Sequence, residues 1–201
     1  MQRFTEFDFG VSWVMEFFHQ DWSCDGPTAA EVVAKHLADV AGKHVLAVRR
    51  DAETLLDGLP DTALELLWDA ATECMPAFHL VGGGAQWTRT VVDLCDARLA
   101  AKPKVRPLTG ADVEDGADQL DAVLREIEEA RFLAEEVRAA LTDCARSCTP
   151  DLALRVLMKA MIQSPGARLS PARYARLEAI GSALRYGEFV VDNVRYLVDE
   201  E

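Results

Sequence analysis

Three side chains near the amino terminus are of the types that bind metal ions. Glu16 and His19 lie three residues apart, a spacing that places two ligands on one face of a helix, and Asp21 follows closely. A metal site needs about three to four ligands, and no second pair at helical spacing accompanies these residues. The aromatic neighbours of His19 favour a histidine packed in a hydrophobic corner. We therefore expect no metal, no cofactor and no catalysis, and a metal-dependent enzyme is the least favoured function.

The cysteines offer a second kind of chemistry, either as a redox pair or as half of a zinc site. Cys144 and Cys148 lie one helical turn apart, but no matching pair of ligands accompanies them, and two small side chains facing the core are the better interpretation. The other cysteines are Cys24, Cys74 and Cys95. An odd number of cysteines in a chain of ordinary hydrophobic content predicts free thiols in a reducing compartment.

A series of acidic residues has a spacing that suits protein recognition. Carboxylates recur at every fourth position along one predicted helix and its approach, at Asp57, Asp61, Glu65, Asp69 and Glu73. We call these five residues the acidic ridge. No lysine or arginine lies within the ridge, so its like charges repel by a few tenths of a kcal/mol per pair. The ridge is either an ordinary solvated face or a surface that binds a basic partner and steers its approach.

Helical periodicity dominates the elements that carry these residues. Apolar residues at three- and four-residue spacing predict helices over residues 11–20, 45–56 and 61–75 in the first half. In the second half the same pattern predicts one long or bent helix over residues 113–144. Alternating patterns typical of strands are scarce. The expected fold is all-α, a multi-helix bundle with two packed helical subdomains.

The helical pattern is interrupted once by a run of prolines, basic residues and a glycine. We therefore expect a helical domain over residues 1–101, a linker over residues 102–111 and a second helical domain, with no role assigned, over residues 112–201.

Overall charge limits the partners. The chain has 21 Lys and Arg against 34 Asp and Glu, a net charge of −13. This balance argues against direct nucleic-acid binding, because phosphate contacts need clustered basic side chains. The amino-terminal residues lack the basic region and apolar run of a signal peptide, and no stretch reaches the roughly 18 apolar residues of a membrane span. We expect a cytoplasmic protein that binds no membrane.

One aromatic segment resembles a known family. The segment consists of Phe18, His19, Gln20, Asp21 and Trp22. It resembles the F-H-Q-D-W segment of immunity proteins from contact-dependent growth inhibition and related bacterial polymorphic toxin systems. Two weaker features agree in order and spacing over residues 7–100, namely a paired leucine before a capped helix and Trp87 ahead of an apolar helix. Thr88 follows Trp87 where the family usually has leucine, and residues 112–201 lie outside the resemblance.

The resemblance implies a stoichiometric, non-catalytic inhibitor that binds and occludes a cognate protein toxin, often a nuclease. We expect the acidic ridge to meet a basic toxin. The motif residues, including Trp87, are expected to be structural, with Phe18 and Trp22 in the core and Asp21 capping or pairing locally. A helical scaffold or regulatory adaptor is the alternative function.

Overall fold

Residues 2–102 and 104–199, as described by a computed structural model, form eleven α-helices. The first six are α1 (Gly10–Met15), α2 (Ala29–Asp39), α3 (Gly42–Gly58), α4 (Asp61–Ala71), α5 (Phe78–Val81) and α6 (Gly84–Ala101). The remaining five are α7 (Leu120–Glu129), α8 (Glu135–Ser147), α9 (Pro150–Gln163), α10 (Pro171–Ala183) and α11 (Glu188–Asp192). Pro103, within the predicted linker, lies outside the described residues.

The prediction of an all-α fold is confirmed. Within the described residues there is no β-strand, and a single isolated bridge joins Leu169 to Val198. None of the helices in these ranges is both long enough and apolar enough to span a membrane.

Side-chain caps define the starts of α9 and α10. Thr149 accepts a hydrogen bond from the backbone N–H of Leu152 at the start of α9, and Ser170 accepts one from Arg173 at the start of α10. A proline occupies the first helical position in both cases, where its missing N–H costs no hydrogen bond. The start of each of these helices can therefore be predicted from the sequence.

Several helix boundaries differ from the prediction. The helix expected over residues 113–144 is divided, because α7 ends at Glu129 and α8 begins only at Glu135. Ala130 and Leu133 in the intervening turn are buried in the core, so the apolar pattern continues through the break and conceals it. The helix expected over residues 11–20 ends at Met15. The prediction was too long for a similar reason, because the apolar residues that follow Met15 also pack in the core.

The core is organised around α9. Every residue from Pro150 to Met161 is buried. Helix α9 packs against α8, α4 and α1, and α4 also packs against α6 and α8. One continuous cluster of buried apolar side chains therefore receives contributions from both predicted domains. The boundary at residues 102–111 stays a prediction.

Candidate functional site

Helix α4 carries the middle of the acidic ridge. Asp61 and Asp69 are exposed and Glu65 is half-buried, whereas Leu64 and Leu67 on the other side of the helix are fully buried. A spacing of four residues in a helix with 3.6 residues per turn places the three carboxylates on one face. The apolar residues of α4 hold this face in place because they are packed against α6, α8 and α9.

The two end members of the ridge lie outside α4. Asp57 belongs to the last turn of α3, and Glu73 follows the end of α4 at Ala71. Both side chains are exposed. The expected helix over residues 61–75 is therefore too long, because the chain leaves the helix at Thr72, where the backbone becomes extended. The ridge consists of three carboxylates on one helix with one exposed carboxylate before it and one after it.

The ridge carboxylates have no counter-ions in the part of the chain that the structure describes. Among the residues that the structure describes, no lysine, arginine or histidine nitrogen lies within 4.0 Å of any of the five. Asp61 accepts a hydrogen bond of 2.6 Å from the backbone N–H of Ala85 and so helps to start α6. The mutual repulsion of the ridge is therefore not relieved by any ion pair in the described part of the protein.

A groove of about 460 Å³ opens beside the ridge. It is lined by Thr62, Glu65, Leu66 and Asp69 of α4 and by Phe78 of α5. Leu66 and Phe78 form a half-buried apolar surface, and two carboxylates stand next to it. Leu80 of α5, which is 73% exposed, adds further apolar surface nearby in the chain. A long basic side chain suits this combination, since its aliphatic stem is apolar and its end is charged.

The aromatic motif residues support α4 from its buried side. The ring of Trp68 in α4 lies edge-on to Trp87 at 5.8 Å between centroids, and Trp87 lies edge-on to Phe18 at 5.6 Å. Trp22 covers Phe18 at 5.8 Å. The carbonyl of Phe18 also accepts a hydrogen bond of 2.8 Å from the N–H of Cys74, just beyond α4. These contacts fix both the helix that carries the ridge and the turn that follows it.

The polar residues of the motif lie at the surface. His19, Gln20 and Asp21 are exposed, and Trp22 is half-buried rather than fully enclosed. The expectation that the Asp21 side chain caps a helix or pairs locally is wrong. Among the described residues its carboxylate caps no helix and forms no ion pair, and its backbone N–H donates to His19 Nδ1 at 3.2 Å. His19 also accepts a hydrogen bond from the N–H of Trp22 through its carbonyl. Histidine thus supplies the acceptors of this turn, which leaves the Asp21 side chain free in solvent.

The candidate metal ligands do not converge. The carboxylate of Glu16 forms an ion pair with the ammonium group of Lys159 in α9, away from His19 and Asp21. No group of three or more His, Cys, Asp or Glu side chains capable of holding a metal ion occurs in residues 2–102 and 104–199.

The spaced cysteine pair lies where α8 ends. Cys144 is buried, while Cys148 is half-buried and donates a hydrogen bond of 3.2 Å to the carbonyl of Thr54. The hydrogen bond between the two thiols raises the pKa of Cys144 and lowers that of Cys148. Burial raises the pKa of the Cys95 thiol to about 12, so that thiol stays protonated at neutral pH.

A buried network of charged residues joins the amino-terminal segment to α3 and α9. Arg155 of α9, which is 1% exposed, donates hydrogen bonds to Asp51 at 2.8 Å and to Asp151 at 2.9 Å. It also donates to the carbonyl of Phe9 at 2.7 Å. Arg3 binds the other oxygen of Asp151 at 2.8 Å. Each of these charged groups thus has an oppositely charged partner, which burial requires, although Arg155 Nε and Arg3 Nη1 have no hydrogen-bond partner among the described residues.

The same network continues one turn further along α9, and its residues are closely packed. The ammonium of Lys159 lies 3.0 Å from Asp8. Gly10, at φ +68°, lies so close to Asp51 that a Cβ atom at this position would overlap the carboxylate. The adjoining cavity holds only about 50 Å³, room for one or two water molecules. The network therefore serves to tie segments together and offers no space for a substrate.

The free energy of unfolding is expected to fall below about pH 4, in part because of Asp51. Burial alone would raise the pKa of Asp51 above its ordinary value of 3.8, but the guanidiniums of Arg155 and Arg50 outweigh burial and lower it. The unfolded chain therefore takes up this proton first as the pH drops, and stability is lost; above about pH 4 the contribution is fully present.

Urea denaturation between about pH 3 and pH 7 measures this effect. The loss of stability on acidification should be shallower in Asp51→Asn than in the wild type, because the variant lacks the titrating group. Identical pH slopes for the two proteins would contradict a lowered pKa at Asp51.

Comparisons of the chain with protein families, with curated proteins and with solved structures gave no match. The acidic ridge with its groove is the arrangement of exposed side chains from which a function can be inferred.

Proposed function

We propose that the protein is an immunity protein that binds a cognate protein toxin in the cytoplasm and neutralises it by occlusion, without catalysis. The observation that carries the proposal is the acidic ridge, whose five carboxylates have no counter-ion in the described part of the chain. The resemblance of residues 18–22 to the motif of growth-inhibition immunity proteins supports the same function.

A basic partner would supply the missing counter-ions. Uncompensated surface charge raises the encounter rate with a partner of opposite charge and sets its orientation. The groove lined by Leu66 and Phe78 adds apolar area beside two carboxylates, and interfaces draw most of their affinity from such desolvated pockets. A lysine or arginine of the toxin fits there, with its stem on the two apolar side chains and its charge near Glu65 and Asp69.

A nuclease is the toxin class that suits this surface best. An enzyme that cleaves nucleic acid binds phosphates through clustered lysine and arginine side chains. A protein with net charge −13 and an exposed carboxylate ridge is complementary to such a cleft. Occupation of the cleft by the ridge would exclude the nucleic acid from the toxin.

Reversal of two ridge charges tests the proposal. Glu65→Lys combined with Asp69→Lys should slow association with the cognate toxin by about tenfold or more at low salt, because long-range attraction acts on the encounter rate. The helix should remain folded, since both residues lie on its outer face and a lysine at position 65 attracts Asp61 four residues before it. Association kinetics by surface plasmon resonance at about 0.02 M and 0.3 M salt provide the measurement.

A matched control separates the ridge from the overall charge. Asp93→Lys combined with Glu128→Lys changes the net charge equally at two exposed residues that form no ion pair with any described residue. This control should associate at close to the wild-type rate. Equal slowing of association in both double variants would show that net charge alone causes the effect. An unchanged association rate in the ridge variant would show that the ridge is only a solvated face.

A further inference from the structure

A second groove, of about 410 Å³, is basic. It is formed where α3 begins and α6 ends, and it is lined by Ala41, Gly42, Lys43, Arg98, Lys102, Lys104, Val105 and Arg106. Five of these eight residues are basic and none is acidic. Helix α6 has 18 residues and is about 27 Å long, and its other end adjoins Asp61 of the acidic ridge. The two grooves therefore lie near opposite ends of one helix.

Three of the basic side chains in this groove are free. Lys102, Lys104 and Arg106 are exposed and have no carboxylate within 4.0 Å in the described ranges. The other two are already engaged, because Lys43 forms an ion pair of 2.9 Å with Asp112 and Arg98 donates to carbonyls at the end of α2. Three adjacent unpaired cations are unexpected in a chain of net charge −13.

Val105 fixes the orientation of this basic segment. Its side chain packs so closely on Gly42 that a Cβ atom at Gly42 would overlap it. Lys104 and Arg106, on either side of Val105, are exposed. The packing of one residue thus holds the two neighbouring cations outward at the start of α3. Ala41 caps α3 without a side-chain hydrogen bond, so the positive end of this long helix also faces the groove.

The backbone of the basic segment is unpaired as well. The N–H and C=O groups of Lys104, Val105 and Arg106 form no hydrogen bond with any part of the chain that the structure describes. Unpaired backbone groups of an exposed segment can form hydrogen bonds with the backbone of an extended peptide that lies alongside it. A peptide offers these partners, whereas a phosphate backbone offers only acceptors.

We propose that Lys102 and residues 104–106 bind an extended acidic segment of a partner protein. The backbone groups of the segment pair with those of the partner, and carboxylates at every second residue of the partner meet Lys102, Lys104 and Arg106. Alternate side chains of an extended peptide lie about 6.6–6.8 Å apart on one side, so such a peptide can present successive carboxylates to the cations of this groove. The net charge and the acidic ridge repel a long nucleic acid and leave a short acidic peptide as the favoured ligand.

Fluorescence anisotropy with a defined probe tests this surface. The probe is a labelled nine-residue peptide with glutamate at every second position and serine between them, at about 0.05 M salt. We expect saturable binding by the wild type and about tenfold weaker binding by the variant with Lys102→Glu, Lys104→Glu and Arg106→Glu. The control variant has Arg89→Glu, Arg131→Glu and Arg146→Glu, the same charge change at exposed arginines that form no ion pair within residues 2–102 and 104–199. It should bind like the wild type.

Two further probes identify what is recognised. A peptide of the same sequence, N-methylated at alternate backbone positions, keeps the charge but loses hydrogen-bond donors and should bind several-fold more weakly. A nine-nucleotide oligothymidine should bind more weakly than the unmodified peptide. Equal affinity of the basic-segment and control variants for the peptide, equal affinity for the methylated peptide, or tighter binding of oligothymidine would each overturn the proposal. Lys104→Gln alone, which adds no new charge, should weaken peptide binding about threefold.

Discussion

Arg155→Met is expected to lower the free energy of unfolding by about 3–5 kcal/mol. The substitution keeps much of the side-chain volume but removes the cation that neutralises Asp51 and Asp151 in the core. Two carboxylates that are 3% and 2% exposed would then be buried without this partner. Urea denaturation followed by circular dichroism at pH 7 provides the measurement.

Two comparisons show whether burial causes the loss. Arg125→Met removes an exposed arginine that pairs with Glu129, and the expected cost is below about 1 kcal/mol. Arg155→Met combined with Asp51→Asn should recover part of the stability, because Asp51 is then uncharged and Asp151 keeps its ion pair with Arg3. A single variant at Arg155 that is no less stable than the one at Arg125 would contradict the buried network.

The predictable part of the fold is the part encoded by local chemistry. The caps at Thr149 and Ser170 and the prolines after them place the starts of α9 and α10 within the sequence itself. The break between α7 and α8 could not be predicted in this way. Ala130 and Leu133 of the turn face the same core as the helices, so hydrophobic periodicity carries no mark of the change in backbone direction.

The candidate site also has one part that could be predicted from the sequence and one part that could not. The spacing of Asp61, Glu65 and Asp69 follows from helix geometry and is visible in the sequence. The groove is not visible, because Phe78 reaches it from α5, and only the tertiary structure brings α5 beside α4.

The buried network left a faint signal in the sequence. Asp151, Arg155 and Lys159 recur at every fourth position in a helix that is otherwise largely apolar, and such charges need partners from elsewhere. The identity of those partners could not be predicted. Asp51 and Asp8 lie about 100 or more residues away in the chain, and no local pattern connects them to α9.

Phe18→Ala is expected to lower the free energy of unfolding by about 3–5 kcal/mol, the usual cost of emptying a buried aromatic site. The ring of Phe18 is fully buried and packs against Trp22 and Trp87, and Trp87 packs against Trp68 of α4. Phe7→Ala is the matched control, because Phe7 is 60% exposed and its removal should cost less than about 1 kcal/mol. Thermal and urea denaturation of the two variants provide the measurement.

The same variant separates a structural motif from an interface. Phe18 touches no solvent, so its contribution to toxin binding should act only through the position of α4 and the ridge on it. Folded Phe18→Ala protein, measured well below its melting temperature, should therefore bind the toxin more weakly than the wild type, because α4 and its carboxylates are displaced. Phe18→Leu, which refills most of the site, should restore both stability and binding. An unchanged melting temperature together with abolished binding would place Phe18 at the interface, and the aromatic residues would then contact the toxin directly instead of supporting the ridge.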